Sequence, residues 1–331
     1  MLVLLTDVAH DRFWPLVARP GVEPLIMDRG AQLVLADGSR VERERADAEV
    51  AWGTSDLFGD GAPLRPFLGM VRRAPSLRWF QSPAAGFDEP FFADLVRRGV
   101  LVTNAHVNGI PIAEFVLRAV LDHFQAAHLW RAAESGHQWK LHDYREVAGT
   151  TWLVIGLGSI GGGVARRAAA FGARVIGCRR HPRPDDPTDR TVTLDELPEV
   201  IGEADVVILC APATSETRGI VGEEFLRHMK PASLIVNVAR GSLVDEDALL
   251  RALDRGRPAH AILDVFASEP LPADHPFWDH PAVTVTPHNA AGGTGRYRRQ
   301  AELFAANLDR YLGGQDLLND VSQVIRDVAG P

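Results

Sequence analysis

Residues 151–180 read TWLVIGLGSIGGGVARRAAAFGARVIGCRR, and this stretch decides the fold of the chain around it. The short apolar run 151–155 predicts a buried strand. The small, mostly apolar residues 164–171 predict a helix, which Gly172 ends. A second strand is predicted over 173–177. The stretch therefore predicts a strand–helix–strand unit, which is the building block of a parallel sheet.

Three glycines lie between the first strand and the helix. Gly156, Gly158 and Gly161 keep the G-x-G-x-x-G spacing of a dinucleotide-binding turn. The first glycine allows a tight turn, the second lets a pyrophosphate approach bare backbone, and the third lets helix and strand pack closely. The helix N-terminus offers N–H groups to the phosphates. A plain glycine turn is the alternative, but the flanking strands and helix favour a cofactor. Its predicted contacts are Gly156, Leu157, Gly158, Ser159, Ile160 and Gly161.

The residues after the second strand indicate which dinucleotide binds. A site for NAD usually has an acidic residue there, which accepts a hydrogen bond from the ribose 2′-hydroxyl. This chain has Arg179 and Arg180 instead. Guanidinium groups pair well with a 2′-phosphate, so the sequence favours NADP(H), with NAD(H) still possible. The alternative is a pair of solvated loop arginines.

The composition is that of a globular protein. The 331 residues are 46% hydrophobic and 24% charged, and the length suits two domains. The net charge of −8 argues against nucleic acid or an anionic membrane as a partner. Cys178 and Cys210 give no disulfide framework and no metal-ligand spacing, so we expect a cytoplasmic protein without a metal site. Neither a signal peptide nor a membrane span is expected.

Short strands alternate with helical stretches along the rest of the chain, which predicts an α/β fold. Strands are predicted at 2–5, 32–35, 50–52, 77–80, 100–102, 205–210, 233–237, 260–265 and 283–286. Helices are predicted at 11–17, 90–98, 110–130, 194–201, 222–228, 246–255 and 291–312. In a parallel sheet, ligands bind at the carboxyl ends of the strands. We therefore expect the loops at 210–212, 238–240, 264 and 287–288 to meet at one edge.

Four further motifs follow the glycine turn in a fixed order. They are Asn237-Val238-Ala239-Arg240-Gly241, the segment 263–272 (LDVFASEPLP), the segment 275–278 (HPFW) and the segment 286–290 (TPHNA). With these motifs the chain resembles the D-isomer-specific 2-hydroxyacid dehydrogenases along nearly its whole length. Within that family it is most similar to glyoxylate and hydroxypyruvate reductases.

The resemblance implies the architecture of the molecule. The family has two doubly wound parallel-sheet domains of the Rossmann-like or flavodoxin-like kind, with a cleft between them. Residues 1–103 and 289–331 would form a discontinuous substrate-binding domain, and residues 104–288 the dinucleotide-binding domain. The family is usually dimeric, so a homodimer is expected, with the predicted helix 110–130 and the segment after it at the contact.

The resemblance also implies a catalytic set of Arg240, Glu269 and His288. Reduction of a 2-oxo acid needs a proton donor for the carbonyl oxygen, and imidazole titrates near neutral pH. Glu269 would orient the imidazole of His288 and favour its protonated form. Arg240 would bind the substrate carboxylate and polarise the carbonyl. Taken singly, each of the three could be an ordinary structural residue.

Other positions carry over from the family to this chain. The loop 81–88 matches an anion-binding loop, although Ala84 stands where the family usually has glycine. Its candidates for substrate binding are Ala85 and Gly86, with Trp52 as a further candidate. Phe87, Trp139 and Trp278 are other candidates for shaping the pocket. The remaining cofactor contacts implied are Ala211, Pro212, Val238, Ala239 and Asp264, the last holding the nicotinamide carboxamide.

The implied function is reduction of a small 2-oxo acid, of the glyoxylate or hydroxypyruvate type, to the D-2-hydroxy acid with NAD(P)H. Two alternatives stay open at this point. A relative with this fold can bind the dinucleotide as a sensor or co-repressor without metabolic turnover. A formate dehydrogenase is the other, and Glu269 argues against it because that relative typically has glutamine there.

Overall fold

The computed structural model describes residues 1–84, 86 and 89–329 of the chain. The chain divides into two compact units, a first unit of Met1–Val107 with Thr294–Pro331 and a second unit of Asn108–Gly293. Over the described residues, each unit is built on one seven-stranded sheet, which confirms the predicted pair of parallel-sheet α/β domains. The domain boundaries predicted after 103 and 288 lie a few residues before those of the structure.

The strands are numbered in chain order over the described residues. They are β1 (Leu2–Thr6), β2 (Glu23–Met27), β3 (Leu33–Leu35), β4 (Arg40–Val41), β5 (Val50–Trp52), β6 (Trp79–Ser82), β7 (Leu101–Asn104), β8 (Thr151–Ile155), β9 (Arg174–Cys178), β10 (Arg190–Val192), β11 (Val206–Leu209), β12 (Leu234–Asn237), β13 (His260–Leu263) and β14 (Val283–Val285).

The α-helices are numbered in the same way. They are α1 (Asp7–Val17), α2 (Leu64–Arg73), α3 (Pro90–Arg97), α4 (Gly109–Phe124), α5 (Ala127–Ser135), α6 (Ser159–Ala170), α7 (Leu197–Ile201), α8 (Glu223–His228), α9 (Glu246–Asp254), α10 (Arg296–Leu312) and α11 (Ser322–Ala329). In the described ranges every helix is too short or too polar to cross a lipid bilayer.

The sheet of the first unit has the strand order β4-β3-β2-β1-β5-β6-β7, and β3 and β4 pair antiparallel at one edge. Strand β2 is not predicted from the sequence, because Pro24 interrupts its apolar pattern. The structure explains how the proline fits. The Glu23 amide donates to Met1 at 3.0 Å, on the β1 side, so the Pro24 nitrogen faces the β3 side. Pairing with β3 begins only at Leu25, and no hydrogen bond is lost.

Helix α10 closes the core of the first unit. Phe304 of α10 stacks on Trp52 and Trp79, with ring centroids 4.4 and 5.0 Å apart. Two residues of the same helix hold the end of β6, since the buried Gln81 side chain donates to the backbone carbonyl of Gln300 and accepts from the side-chain amide of Asn307. Polar groups buried this deeply must be paired, and these are.

The sheet of the second unit is parallel throughout, in the order β10-β9-β8-β11-β12-β13-β14. The strand order reverses between β8 and β11, and a crevice for ligands opens at such a switch point. Strand β8 is buried on both faces, with Leu153 and Ile155 in one core and Trp152 and Val154 in the other. This double burial explains why the strand is a continuous apolar run in the sequence.

The helix predicted over 110–130 is two helices, α4 and α5. Ala126 separates them and has a left-handed backbone with φ of 48°. Helix α4 packs its apolar face into the core, whereas no residue of α5 is buried. The apolar pattern continues through Leu129 and Trp130, so periodicity alone does not reveal the break.

Candidate active site

Three adjacent strands of the second unit present their carboxyl ends at the same edge of the sheet. Strands β12, β13 and β14 pair in parallel, with Asn237 beside Leu263 and Leu263 beside Val285. The loops that leave these ends carry the three predicted catalytic residues. They are Arg240 after β12, Glu269 after β13 and His288 after β14.

The structure brings His288 and Glu269 into direct contact. Nδ1 of the imidazole lies 2.8 Å from Oε2 of the carboxylate. The second oxygen, Oε1, accepts from the Phe266 amide at 2.9 Å, which fixes the carboxylate in place. The His288 side chain is 53% exposed. With Nδ1 on the carboxylate, Nε2 is the nitrogen that the described chain leaves for proton exchange with a ligand.

Asp264 holds the loop that carries His288. Its carboxylate accepts from the Thr286 hydroxyl at 2.6 Å and from the Asn289 and Ala290 amides at 2.9 Å each. Its carbonyl accepts from the His288 amide at 2.8 Å. His288 has a left-handed backbone, with φ of 50°, which costs a side-chain-bearing residue roughly 1–3 kcal/mol. The bonds to Asp264 on both sides of His288 offset that cost.

This arrangement changes what Asp264 is seen to do. The family resemblance implies that Asp264 holds the nicotinamide carboxamide, and this role stays a prediction. The side chain is almost fully buried, at 1% exposure, and both carboxylate oxygens already accept hydrogen bonds from the chain itself. Positioning of the His288 loop is therefore the role that its contacts support directly.

Arg240 follows an asparagine that shapes its loop. The Asn237 side chain donates to the Arg240 carbonyl at 2.9 Å and accepts from the Ala239 amide at 3.0 Å. The Arg240 guanidinium donates from Nη1 to the Ala239 carbonyl at 2.8 Å and is partly exposed. The motif residue Asn237 is thus a scaffold, and it presents Arg240 at the carboxyl edge.

Gly241 joins the loop of Arg240 to the loop of Glu269. A Cβ atom at Gly241 would lie 1.8 Å from the carbonyl carbon of Phe266, so only glycine fits. The next amide, of Ala267, donates to the Glu246 carboxylate at 2.9 Å. Glu246 is a contact that sequence reasoning missed, because it lies 21 residues away in the chain.

The glycine turn has the geometry that a dinucleotide requires. Gly156 has φ of 95°, and a Cβ there would lie 2.5 Å from the Ala211 nitrogen. A Cβ at Gly161 would lie 1.8 Å from the Gly156 carbonyl oxygen. Gly158 is the N-cap of α6 and has open space around it, without a side-chain cap. The bare backbone and the open helix end fit a pyrophosphate.

The other predicted cofactor contacts lie at neighbouring strand ends. Ala211 and Pro212 follow β11, and Val238 and Ala239 follow β12. Ala211, Val238 and Ala239 are each 6% exposed, so they would contact a ligand mainly through backbone. Together with the turn after β8, they lie along the carboxyl edge of three consecutive strands.

Both arginines after β9 pair with carboxylates. Arg179 donates to Asp186, whose side chain is only 5% exposed. Arg180 donates from Nη2 to Oε2 of Glu216 at 2.8 Å, and both side chains are more than half exposed. Sequence reasoning missed both partners. The dinucleotide-site pattern concerns only the residue directly after the second strand, and it gives no reason to look at Asp186 or Glu216.

The predicted substrate contact Trp52 is instead a core residue. Its side chain is fully buried and stacks on Phe304. A ring without exposed surface cannot touch a substrate, so we correct this assignment. The burial depends on a helix far along the chain, which the local sequence does not reveal.

The other substrate candidates have varied positions. Ala85 and Phe87 lie outside the described residues, and Gly86 is half-buried in the loop after β6 of the first unit. Trp139 is almost fully exposed in the segment after α5. Trp278 is also exposed and donates to the Pro272 carbonyl at 2.9 Å. Among the described residues, no group of histidine, cysteine or acidic side chains is arranged to hold a metal ion.

Comparison with known proteins places this geometry in a family. The family model for "D-isomer specific 2-hydroxyacid dehydrogenase, NAD binding domain" matches residues 117–290. A glyoxylate reductase from Korarchaeum cryptofilum is 34% identical over 268 residues, which cover 78% of this chain and 80% of that protein.

Solved structures agree with that match over almost the whole chain. A D-isomer specific 2-hydroxyacid dehydrogenase family protein from Aeromonas salmonicida has a TM-score of 0.80 at 30% identity, covering 96% of this chain and 97% of its own. An NADPH-dependent glyoxylate/hydroxypyruvate reductase from Sinorhizobium meliloti, solved with NADP and sulfate, has a TM-score of 0.75 at 26% identity, covering 98% of each chain. The chain therefore belongs to the D-isomer specific 2-hydroxyacid dehydrogenase family.

Proposed function

We propose that the protein reduces a small 2-oxo acid, of the glyoxylate or hydroxypyruvate type, to the D-2-hydroxy acid with NADPH. The observation that carries the proposal is the 2.8 Å contact between His288 and Glu269 at the carboxyl edge of the sheet. Membership of the family supports the reaction class. The glyoxylate reductase from Korarchaeum cryptofilum supports the choice of substrate.

The three catalytic residues would divide the work as follows. A bound nicotinamide would supply the hydride. His288 would give its Nε2 proton to the carbonyl oxygen as charge develops there, and Glu269 would stabilise the imidazolium before transfer. Arg240 would hold the carboxylate that all 2-oxo acids share, through the two-pronged contact that a guanidinium makes.

The contact of Glu269 also bears on the two alternatives. A formate dehydrogenase has no carbonyl oxygen to protonate, so it does not need a carboxylate that orients an imidazole as a proton donor. A sensor needs only the dinucleotide site. The preserved pair of proton donor and carboxylate partner therefore supports an enzyme that reduces a carbonyl.

A substrate panel tests the proposal. Initial rates would be measured with glyoxylate, hydroxypyruvate, pyruvate and bulkier 2-oxo acids, each with NADPH and with NADH. We expect the highest kcat/KM for glyoxylate and hydroxypyruvate. NADPH should give a higher kcat/KM than NADH, because Arg180 can pair with the 2′-phosphate of NADPH. Tight dinucleotide binding without turnover of any acid would favour the sensor, and oxidation of formate would favour the other alternative.

We further propose that the two units have separate roles. The second unit would bind the dinucleotide and the first unit would contribute to substrate binding.

We also propose that the protein is a homodimer. The dimer contact would involve α4 and the segment that follows it, where several large apolar side chains are exposed to solvent. These are Leu129, Trp130, Trp139, Leu141 and Tyr144. Light scattering during gel filtration would give the mass in solution, and a monomer at micromolar concentration would contradict the dimer.

A further inference from the structure

A cavity of about 700 Å³ lies in the second unit beside the residues that would select the cofactor. Its wall is apolar on the side of α7 and α8, where Leu197, Ile201 and Phe225 contribute. Arg180 and Glu216 both line it and are 61% and 54% exposed, so their ion pair lies on its solvent side.

The two arginines after β9 are held in different ways. Arg179 is 20% exposed and donates to Asp186, which is nearly buried and also accepts from the Arg183 amide at 2.8 Å. Burial alone would raise the pKa of Asp186, but the Arg183 amide and the Arg179 guanidinium outweigh it and lower that pKa. Arg179 is therefore fixed within its own loop.

Arg180 is the arginine that can change partners. Among the described residues its ion-pair partner is Glu216, and the contact is a single bond of 2.8 Å between exposed groups. Exposed ion pairs contribute little free energy and exchange readily with solvent. A 2′-phosphate carries close to two negative charges and several acceptor oxygens, so it is the stronger partner for a guanidinium.

We propose that Glu216 is a specificity-determining residue that weakens the preference for NADP(H) over NAD(H). Its carboxylate occupies the guanidinium that a 2′-phosphate needs, and it repels that phosphate once Arg180 has turned towards the ligand. The inference rests on the proposed use of NADPH. It also separates the arginine pair, because Arg180 makes the phosphate contact and Arg179 shapes the loop.

The test measures binding and does not depend on turnover. Isothermal titration calorimetry would give Kd for NADP⁺ and for NAD⁺ with the unmodified protein and with Glu216→Gln, which keeps the shape and removes the charge. We expect the ratio of Kd for NAD⁺ to Kd for NADP⁺ to rise about two- to fivefold, the size expected for one exposed charge. We expect Arg180→Ala to lower the same ratio by about tenfold or more.

Glu224→Gln is the matched control. Glu224 lines the same cavity but pairs with Arg227, at 2.6 Å. Its substitution removes the same charge, so a general electrostatic effect would move both variants alike. We expect the control to leave the ratio unchanged.

The outcomes separate the inference from the proposed function. An unchanged ratio in Glu216→Gln, with NADP⁺ still bound, overturns the role of Glu216 alone. A lower ratio also overturns it, because Glu216 would then orient Arg180 for the phosphate. Failure of the unmodified protein to bind NADP⁺ overturns the proposed cofactor itself. An unchanged ratio in Arg180→Ala overturns the phosphate contact of Arg180, and with it the inference about Glu216.

Discussion

At the scale of single residues, a few contacts fix the geometry of the candidate site. The motif around His288 and Glu269 is readable in the sequence, because both residues follow predicted strands at family spacing. The left-handed backbone of His288 is not readable, since histidine gives no sign of it. The three hydrogen bonds that the Asp264 carboxylate accepts are not readable either, because they join a strand end to a loop more than twenty residues later in the chain.

Asp264→Asn tests how much these hydrogen bonds to the Asp264 carboxylate contribute. The amide keeps the shape but replaces one acceptor by a donor, which then faces a backbone N–H that has lost its partner. We expect a loss of roughly 1–3 kcal/mol in the free energy of unfolding and a marked fall in kcat. Urea denaturation measures the change in unfolding free energy, and initial rates at saturating substrate measure the change in kcat. Asp245→Asn is the control, because Asp245 caps α9 and asparagine caps equally well. Equal stability of the two variants would contradict the role of Asp264.

Arg240→Ala tests the shared anchor of the substrates. Every 2-oxo acid has a carboxylate, so the loss should be similar for small and bulky acids. We expect kcat/KM to fall roughly 30-fold or more, since truncating one partner of a desolvated charge pair costs several kcal/mol. NADP⁺ affinity, measured by calorimetry, should change little. A variant that keeps near-normal kcat/KM on any acid would remove Arg240 from the site.

At the scale of secondary structure, the strands and their end loops are more predictable than the helix boundaries. Strands β8, β11, β12 and β13 are buried apolar runs that end in polar or small residues, so pattern and position agree. Helix α4 stops at a left-handed alanine that no local pattern marks. Strand β2 contains Pro24, which costs no hydrogen bond because its nitrogen faces β3 before the pairing with β3 begins. The sequence of β2 alone does not show which strands lie beside it.

Contacts between α4 and the start of β13 should make stability depend on pH. The rings of His123 and His260 stack with centroids 4.4 Å apart, and His260 Nε2 lies 2.9 Å from the Thr284 hydroxyl. Burial, together with the nearby His123, His280 and His128, lowers the pKa of His260 to about 4. The folded chain therefore holds this imidazole neutral. Its contribution to stability is complete above the ordinary histidine pKa of about 6.5 and is lost as pH falls towards 4.

His260→Asn should flatten this dependence. We expect the drop in unfolding free energy between pH 6.5 and 4 to shrink by roughly 1–2 kcal/mol, a value discounted for the ring's partial exposure. Urea denaturation over that pH range gives the slope. His137→Asn is the control, because His137 is exposed and asparagine accepts its left-handed backbone. A variant with the unmodified slope would show that this histidine does not set it.

At the scale of the whole molecule, the two α/β units and the positions of the motif residues follow from the sequence, whereas long-range partners do not. Trp52 is a large aromatic residue at a strand end and is therefore, from the sequence, a candidate for the substrate pocket. A helix that lies about 250 residues later in the chain covers its ring. The sequence around Arg179 and Arg180 predicts two cationic side chains available to a ligand. In the structure each of them forms an ion pair with an acidic side chain. Local pattern predicts which element a residue is in, and tertiary pairing decides what its side chain touches.

The pH dependence of turnover tests most directly whether His288 and Glu269 act as a pair in proton transfer. The measurement is kcat/KM against pH for reduction and for oxidation, with the unmodified protein, Glu269→Gln and His288→Ala. Reduction should fall and oxidation should rise as His288 loses its proton. Glu269→Gln should lower kcat/KM for reduction more than for oxidation at neutral pH, because a neutral amide no longer stabilises the imidazolium that donates the proton. His288→Ala should abolish the step and nearly all turnover while NADP⁺ still binds. A Glu269→Gln protein that reduces and oxidises with the kcat/KM of the unmodified protein would contradict the pair.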